Sequence, residues 1–574
     1  MQAREELSRL VGEALAAARE SGALALEQIP EAALERPRDE GHGDWACTVA
    51  LRCAKQAKRN PREIAQAIVD NLPEADFVDK VEIAGPGFIN FYLKDAALQH
   101  VVAAVREQGD DYGRSTVGGP NKVNIEYISS NPTGPMHVGH GRWAALGSAT
   151  ANVMRHAGYD VFEEFYINDH GVQMNKFGAS IAARYLQQLG RDAEVPEGGY
   201  NGAYVNDIAG AIIERDGEKW ADADERERME TFREFGYGYI MENIRDVTDR
   251  FGVHFDRWQS ERELYLPDAE EPFCGKSPFD YCLGELREHG DLYESEGALW
   301  FRSSAYGDEK DRVVRKADGE YTYFASDVAY HYCKKLRGFD LLIDIWGADH
   351  HGYIARVQAV LAAMGYPGAL EVMLGQLVNL FRGGKPVRMS KRTGEMITFE
   401  ELIDEVGVDA TRYYMLDRSS EQPIDFDIEE AKKQDASNPV YYDQYAHARI
   451  CKLLRDASGH ADEGGLDMAA VAAECIPADA DLSLLTDASE LALMRKMSEF
   501  GELIAAAARD RAPFRLTHYA QELAGLFHQF YTNCPVLKAE TPELAQARLA
   551  LCDACRIVLA KTLNLLGISA PQRM

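Results

Sequence analysis

The stretch that most limits what this chain can become is KVNIEYISSNPTGPMHVGHGRWAALGSATANVMRHAGYDVFEEFYIND, residues 122–169. An apolar run ending at Ser130 gives way to a loop rich in Gly and Pro, then to a helical pattern through about Ala157, then to a second alternating run. Strand, helix, strand in that order is the βαβ unit of a doubly wound parallel sheet. The same pattern resumes at YTYFASDVAYHY, FDLLIDIWGADHHGYIARVQAVLAAMG and LEVMLGQLVNLF. A long charged stretch at about 190–298 separates the halves and reads as a helical insertion within one nucleotide-binding sheet.

The flanks have different textures. Residues 1–118 mix an amphipathic helix (REELSRLVGEALAAARESG) with a period-two run (KVEIAGPGFINFYL) and end in the polar, Gly-rich GDDYGRSTVGGPNK. Residues 436–574 are almost wholly helical and predict a bundle. The expected architecture is therefore multidomain α/β. An N-terminal α+β domain (1–118) precedes a Rossmann-type doubly wound parallel sheet catalytic domain with its insertion (119–435), and a C-terminal all-α bundle (436–574) follows.

Composition narrows the function classes. With 62 Lys and Arg against 93 Asp and Glu, the formal charge of −31 opposes nonspecific binding to a polyanion. A specific nucleic-acid binder would need local basic clusters instead. The opening residues carry no apolar leader-like core, and no apolar run reaches membrane-spanning length, so a cytoplasmic location is expected. The ten scattered cysteines read as reduced thiols, and Cys552 and Cys555, inside a helical pattern, as core packing rather than half of a zinc site.

Two histidines three residues apart at a helix start need a purpose. A helix N-terminus offers unpaired amides and partial positive charge, so phosphates settle there, and Gly139 permits close approach of a nucleotide to the backbone. His137 and His140 then aim donors at those phosphates, where charge builds during in-line nucleotidyl transfer. A second segment, NLFRGGKPVRMSKRTGE, supplies the missing basic cluster: Arg382, Lys385, Arg388, Lys391 and Arg392. Gly383 and Gly384 suggest a mobile loop there, from which Lys391 reaches a leaving pyrophosphate.

HVGH and RMSKR resemble the two signature motifs of class I aminoacyl-tRNA synthetases, usually HIGH and KMSKS. IEYISSNPTGPMHVGHGR, YTYFASDVAYH, NPVYYDQYAHARI and the ending GISAPQRM are similar to the arginyl-tRNA synthetase family in particular, over the whole chain. Val138, Arg388 and Arg392 depart from the usual letters, the two arginines keeping or adding positive charge.

The resemblance implies ATP-dependent formation of arginyl-adenylate and its transfer to the terminal adenosine of tRNA(Arg). It makes His137, His140, Arg388 and Lys391 catalytic. Gly139, Gly347, Asp349, Met389 and Ser390 join His137, His140 and Lys391 around ATP. Glu126, Tyr323 and Asp327 fall to the guanidinium, Asn131 with Ser129 to the α-amino end, and His350 to the amino acid's backbone groups. Phe88 and Asn90 would meet the tRNA D-loop, and Tyr441, Tyr445, Ala448, Arg449 and Met574 the anticodon loop.

Magnesium is expected with ATP, with no protein-bound zinc. The implied partners are tRNA(Arg), L-arginine and ATP, without DNA or membrane, and the family inclines towards a monomer. Two other readings compete: a related class I ligase such as a cysteine-specific enzyme, which needs a thiol-reading zinc site these cysteines do not assemble, and a non-catalytic tRNA-binding relative, expected to have lost the phosphate motifs.

Overall fold

The computed structural model describes residues 2–37, 40–387, 397–461 and 463–574. In the N-terminal unit, helix Gln2–Glu20 buries Leu7, Val11, Ala14, Leu15 and Ala18 along one face. That spacing is the apolar stripe of an amphipathic helix. Beside it lies a four-stranded antiparallel sheet, ordered Leu34–Glu35, Trp45–Cys47, Phe88–Leu93, Val78–Ala84. Ile89 and Phe91 point into this core.

The core changes between Leu93 and Leu98, well before the Gly-rich passage read as a linker. Helix Asp95–Gln108 sends Leu98, Val102 and Val105 into the main core, its Gln99 amide donates to the Ser483 and Leu485 carbonyls, and Arg106 pairs with Asp553 at 3.2 Å. It is thereby tied to the C-terminal helices.

The central sheet has five parallel strands: β1 (Lys122–Glu126), β2 (Asp160–Ile167), β3 (Arg257–Ser260), β4 (Leu341–Gly347) and β5 (Leu370–Gly375), ordered β5-β4-β1-β2-β3. Chain direction across the sheet reverses between β1 and β4, and ligands of such sheets collect in the crevice beyond the carboxyl ends there. Helix α1 (Val138–His156) links β1 to β2. It packs so closely that a Cβ on Gly141 would lie 2.3 Å from the Phe399 ring and one on Gly147 2.2 Å from the Tyr127 ring.

Strand β3 corrects the expected insertion, because it lies inside the stretch read as a single helical excursion. Its sequence, RWQS, is short and polar and buries only Gln259 well, so no apolar run announces it. Two excursions replace one. Between β2 and β3 run helices Val172–Gln188, Ala203–Asp216 and α2 (Glu225–Arg250). Between β3 and β4 come helix Pro278–Glu288, a small antiparallel sheet (Leu292–Ser295, Ala298–Phe301, Arg312–Arg315) and helix α3 (Tyr323–Leu336).

Beyond β5, helix α4 (Val408–Leu416) leads to the C-terminal bundle, which runs from α5 (Pro439–Ser458) to α6 (Pro542–Leu565). Cys552 and Cys555 are fully buried in α6, in keeping with its helical pattern. Among the described residues no helix is long and apolar enough to cross a membrane.

Candidate active site and tRNA-facing surfaces

His137 is the N-cap of α1, with extended backbone (φ −92°, ψ 167°). Its own N–H donates to Nδ1 of His140 at 3.1 Å, which leaves the His140 ring proton on Nε2. The two imidazoles stack 3.7 Å apart, 19° from parallel, and Trp143 meets His140 edge-on at 5.2 Å. A Cβ at Gly139 would lie 2.9 Å from the His137 ring, so only glycine lets that ring fold over the helix start. A paired-imidazole donor face at a helix N-terminus results.

Arg388, Met389, Ser390 and Lys391 lie outside the described residues. Their flanks are well placed. On the near side, Lys385–Pro386 pairs back on strand Val378–Arg382, and the Val387 N–H donates to the Leu380 carbonyl at 2.8 Å. On the far side, Thr398 forms an antiparallel bridge with His137, and the Phe399 N–H donates to the Met136 carbonyl at 2.9 Å. The chain leaving the second motif is thus stitched to the first.

Two details differ from the sequence reading. Gly383 and Gly384, at φ 57° and 75°, form a turn whose N–H groups donate to the Asp427 carboxylate at 3.0 and 2.6 Å. The glycines therefore serve a left-handed turn held by a carboxylate, not a loose loop. Arg382 is paired with Glu405 at 2.6 Å and Glu429 at 3.0 Å, which withdraws it from the basic cluster.

Acidic groups collect around the start of α3, near the carboxyl ends of β1 and β3. Asp327 is half-buried and accepts a hydrogen bond from the Tyr353 hydroxyl. Burial pushes its carboxyl up to about 6, with Glu126 and Asp344 adding to the rise and His331 and Tyr353 opposing it. Glu261, just past β3, is buried and pushed up to about 7, first by burial and then by the charges of Asp327 and Asp169, against hydrogen bonds from Ser326 and Tyr166. Among the described residues neither acid is ion-paired with Lys or Arg. Glu261 escaped sequence reasoning because it follows the one strand of the central sheet that no apolar run announces.

The other expected pocket residues are distributed as follows. Tyr323 opens α3, placing it and Asp327 on one face, but it is 62% exposed. Ser129 and Ile128 have φ of 41° and 68°, a turn that brings the Ser129 hydroxyl 2.8 Å from Glu126 Oε1 and lets it accept from the Tyr166 N–H at 3.1 Å. Asn131 is exposed. Gly347 ends β4 beside Gly375, and His350 lies in the short helical turn that follows, its ring 6.5 Å from Trp346. The side chain of Asp349 is outside the described set.

Glu126 does not present an open carboxylate. Its second oxygen accepts from Lys334 Nζ at 2.6 Å, and Lys334, fully buried, also reaches Asp344 at 2.9 Å. His331 Nε2 holds the other Asp344 oxygen at 2.7 Å. Burial raises the Asp344 carboxyl, but Lys334 and His331 more than reverse this and hold it well below the usual range. Asp344 interrupts the apolar strand LLIDIW, and a lone acid there has to be paired. That was the legible signal for a buried network.

On the N-terminal sheet, Phe88 and Asn90 alternate with the core residues Ile89 and Phe91, so they share the opposite face with Tyr92. Asn90 is only 3% exposed, whereas Phe88 is half-buried. On α5, Tyr441 and Tyr445 stack 6.2 Å apart and nearly parallel. The Arg449 guanidinium lies 4.7 Å from the Tyr445 ring and 4.9 Å from Tyr531, and donates to the Tyr445 hydroxyl at 2.8 Å. Ala448 faces inward at 7% exposed, while Met574 is 52% exposed. The aromatic and cationic ladder is the kind of platform on which unstacked bases settle.

A parallel sheet whose order reverses beside a His-Xaa-Gly-His helix start, with the chain that follows a basic segment paired to that start, is the catalytic core of a class I aminoacyl-tRNA synthetase. The model "tRNA synthetases class I (R), catalytic domain" matches residues 101–452, "Arginyl tRNA synthetase N terminal domain" 5–93 and "DALR anticodon binding domain" 444–574. The chain is 46% identical over 550 residues to an arginine–tRNA ligase of Oceanobacillus iheyensis, covering 96% of this chain and 95% of that one. It is 45% identical over 576 residues to one of Moorella thermoacetica, covering 100% and 99%. Thermus thermophilus arginyl-tRNA synthetase, 23% identical, superposes with a TM-score of 0.74 over 100% of both chains, a likeness of fold. The chain belongs to the arginyl-tRNA synthetase family.

Proposed function

We propose that this chain uses ATP to activate L-arginine and transfers it to the terminal adenosine of tRNA(Arg), releasing AMP and pyrophosphate. The observation that carries the reading is the His137–Thr398 bridge. It joins the paired imidazoles to the chain just past the basic segment; the half-buried Asp327 and the buried Glu261 have no Lys or Arg partner among the described residues. The arginine carboxylate attacks the α-phosphorus of ATP, and the bond to pyrophosphate breaks. His137 and His140, over the backbone opened by Gly139, steady the phosphates; Arg388, Met389, Ser390 and Lys391 are assigned to the same triphosphate, with Lys391 serving the leaving pyrophosphate. Magnesium accompanies the nucleotide.

A guanidinium is planar and permanently charged, so it needs carboxylates in a water-poor pocket. We assign that role to Asp327 and Glu261, with Tyr323 at the mouth. Glu126 then acts from behind, through Ser129, while Asn131 and Ser129 serve the α-amino end and His350 the backbone groups. Gly347 and Asp349 are assigned to the adenosine ribose. Phe88 and Asn90 are assigned to the D-loop and the Tyr441, Tyr445 and Arg449 ladder, with Met574, to the anticodon loop. A monomer suffices for this division of labour.

The direct test is aminoacylation of total tRNA with each of the twenty amino acids in turn. Arginine alone should be incorporated; charging with another amino acid, or with none, rejects the reading. The acid pair adds a pH signature. A bound guanidinium favours both carboxylates, so arginine binding must expel whatever protons Glu261 and Asp327 hold in the free protein, which they take up near pH 7 and 6. The arginine Michaelis constant should therefore rise as pH falls from 8 to 6, approaching about tenfold per unit at the acid end. The ATP constant serves as the control, and an arginine constant flat over that range removes both acids from the pocket.

A further inference from the structure

We propose that Arg412 is a positioning residue: its guanidinium fixes α1, and with it His137 and His140, against the end of the C-terminal bundle. The inference rests on the ligase reading above. Arg412 stands on α4 and is fully buried. Its Nε donates to the Phe251 carbonyl at 3.0 Å, one terminal nitrogen to Ser148 Oγ and the Leu566 carbonyl at 3.0 and 3.2 Å, and the other to Ser148 Oγ and the Gly252 carbonyl at 3.1 and 3.3 Å. A guanidinium has five N–H groups, and all five are engaged. The Phe251 ring lies against it, with Cζ 4.6 Å from the ring centroid.

The partners belong to different parts of the molecule. Phe251 and Gly252 end α2, in the excursion before β3, and Leu566 follows α6 of the bundle. Ser148 is on α1, eight residues past His140, which is about 12 Å along the helix axis at 1.5 Å per residue. The Ser148 hydroxyl also donates to the Ala144 carbonyl at 2.7 Å, so it is locked into its own helix. No carboxylate holds Arg412 among the described residues. A planar fork reaching three elements at once fixes their relative placement, which a single flexible ammonium cannot reproduce.

Gly567 gives a handle on this arrangement from outside the catalytic domain. It has φ +73°, and a Cβ there would lie 2.6 Å from Arg412 Cζ. Gly459, at φ +87° in the same bundle, has nothing within 4 Å of its Cβ position. Alanine at either site suffers the same backbone strain, but only Gly567→Ala pushes the guanidinium.

Both variants and the unaltered chain are assayed for charging of tRNA(Arg) and for thermal melting. Gly567→Ala should lower kcat about tenfold with Michaelis constants for tRNA and arginine within about twofold, while Gly459→Ala keeps kcat within about twofold. With Ser148→Ala already in place, the further loss caused by Gly567→Ala should shrink, because the fork has lost its hold on α1. Equal kcat values for the two glycine variants, or a Gly567→Ala loss that is undiminished in the Ser148→Ala background, would overturn the proposal. Should Gly567→Ala not accumulate in folded form, Arg412→Lys carries the test: a fall in kcat at unchanged arginine constant supports the role, and wild-type kcat overturns it. Failure of the unaltered chain to charge arginine would instead retire the ligase reading itself.

Discussion

Asp327→Asn is expected to raise the Michaelis constant for arginine about 100-fold or more, because removing one partner of a desolvated charge pair costs about 3–5 kcal/mol and each 1.4 kcal/mol is a factor of ten. The ATP constant should stay near its original value. The amide keeps the shape of the carboxyl and one acceptor oxygen but gives up the charge that a guanidinium requires. Stability should move the other way. The Asp327 carboxyl is raised to about 6 by burial, so above that pH its ionised form weighs against the folded state, and a neutral amide relieves that burden. The melting temperature should therefore hold or rise at pH 7.5. A fall in melting temperature together with an unchanged arginine constant would show that Asp327 serves the fold and not the substrate.

That opposition of affinity and stability separates what the sequence displays from what only the structure shows. The HVGH helix start is legible because spacing along one helix is local: an N-cap and its third following residue are neighbours by construction, and their imidazoles meet there. Tyr323 and Asp327 are legible for the same reason, four apart at the start of α3. Glu261 is not. It reaches Asp327 only because β3 takes the sheet edge beside β2, and four largely polar residues give no hint of a strand.

Register matters as well as topology. β4 pairs with β1 so that Asp344 lies beside Glu126, and α3 then lowers Lys334 between them. Each of those residues is an ordinary letter in its own segment; their meeting is a property of the sheet. The glycine pair at 383–384 shows the reverse hazard. Composition suggests mobility, yet the turn is held by Asp427, which is more than forty residues away in sequence and had no local reason to be considered.

Lys334→Met is expected to destabilise the catalytic domain by about 3–5 kcal/mol, the usual cost of leaving buried charge without its partner. Two carboxylates depend on this one ammonium: Glu126 at 2.6 Å and Asp344 at 2.9 Å. Methionine fills the volume of the aliphatic stem, so the loss is electrostatic rather than a cavity. In a chain of several domains this should appear as an earlier catalytic-domain transition, with the N-terminal unit, which has its own core, little changed.

The pH dependence identifies the cause. In the original chain Asp344 is held below its usual range, so its pairing stabilises the fold above the unfolded carboxylate value and is lost only as pH falls through the lower, folded one. In the variant, Asp344 faces Glu126 in a dry interior without Lys334, its affinity for a proton rises, and the folded state gains a proton as pH falls. The gap in melting temperature between the two proteins should therefore narrow from pH 8 towards pH 5. Adding Glu126→Gln to Lys334→Met should recover part of the loss at pH 8, since one unpaired charge is then gone. A gap that is constant across that range would assign the destabilisation to packing and leave the buried triad without an electrostatic role.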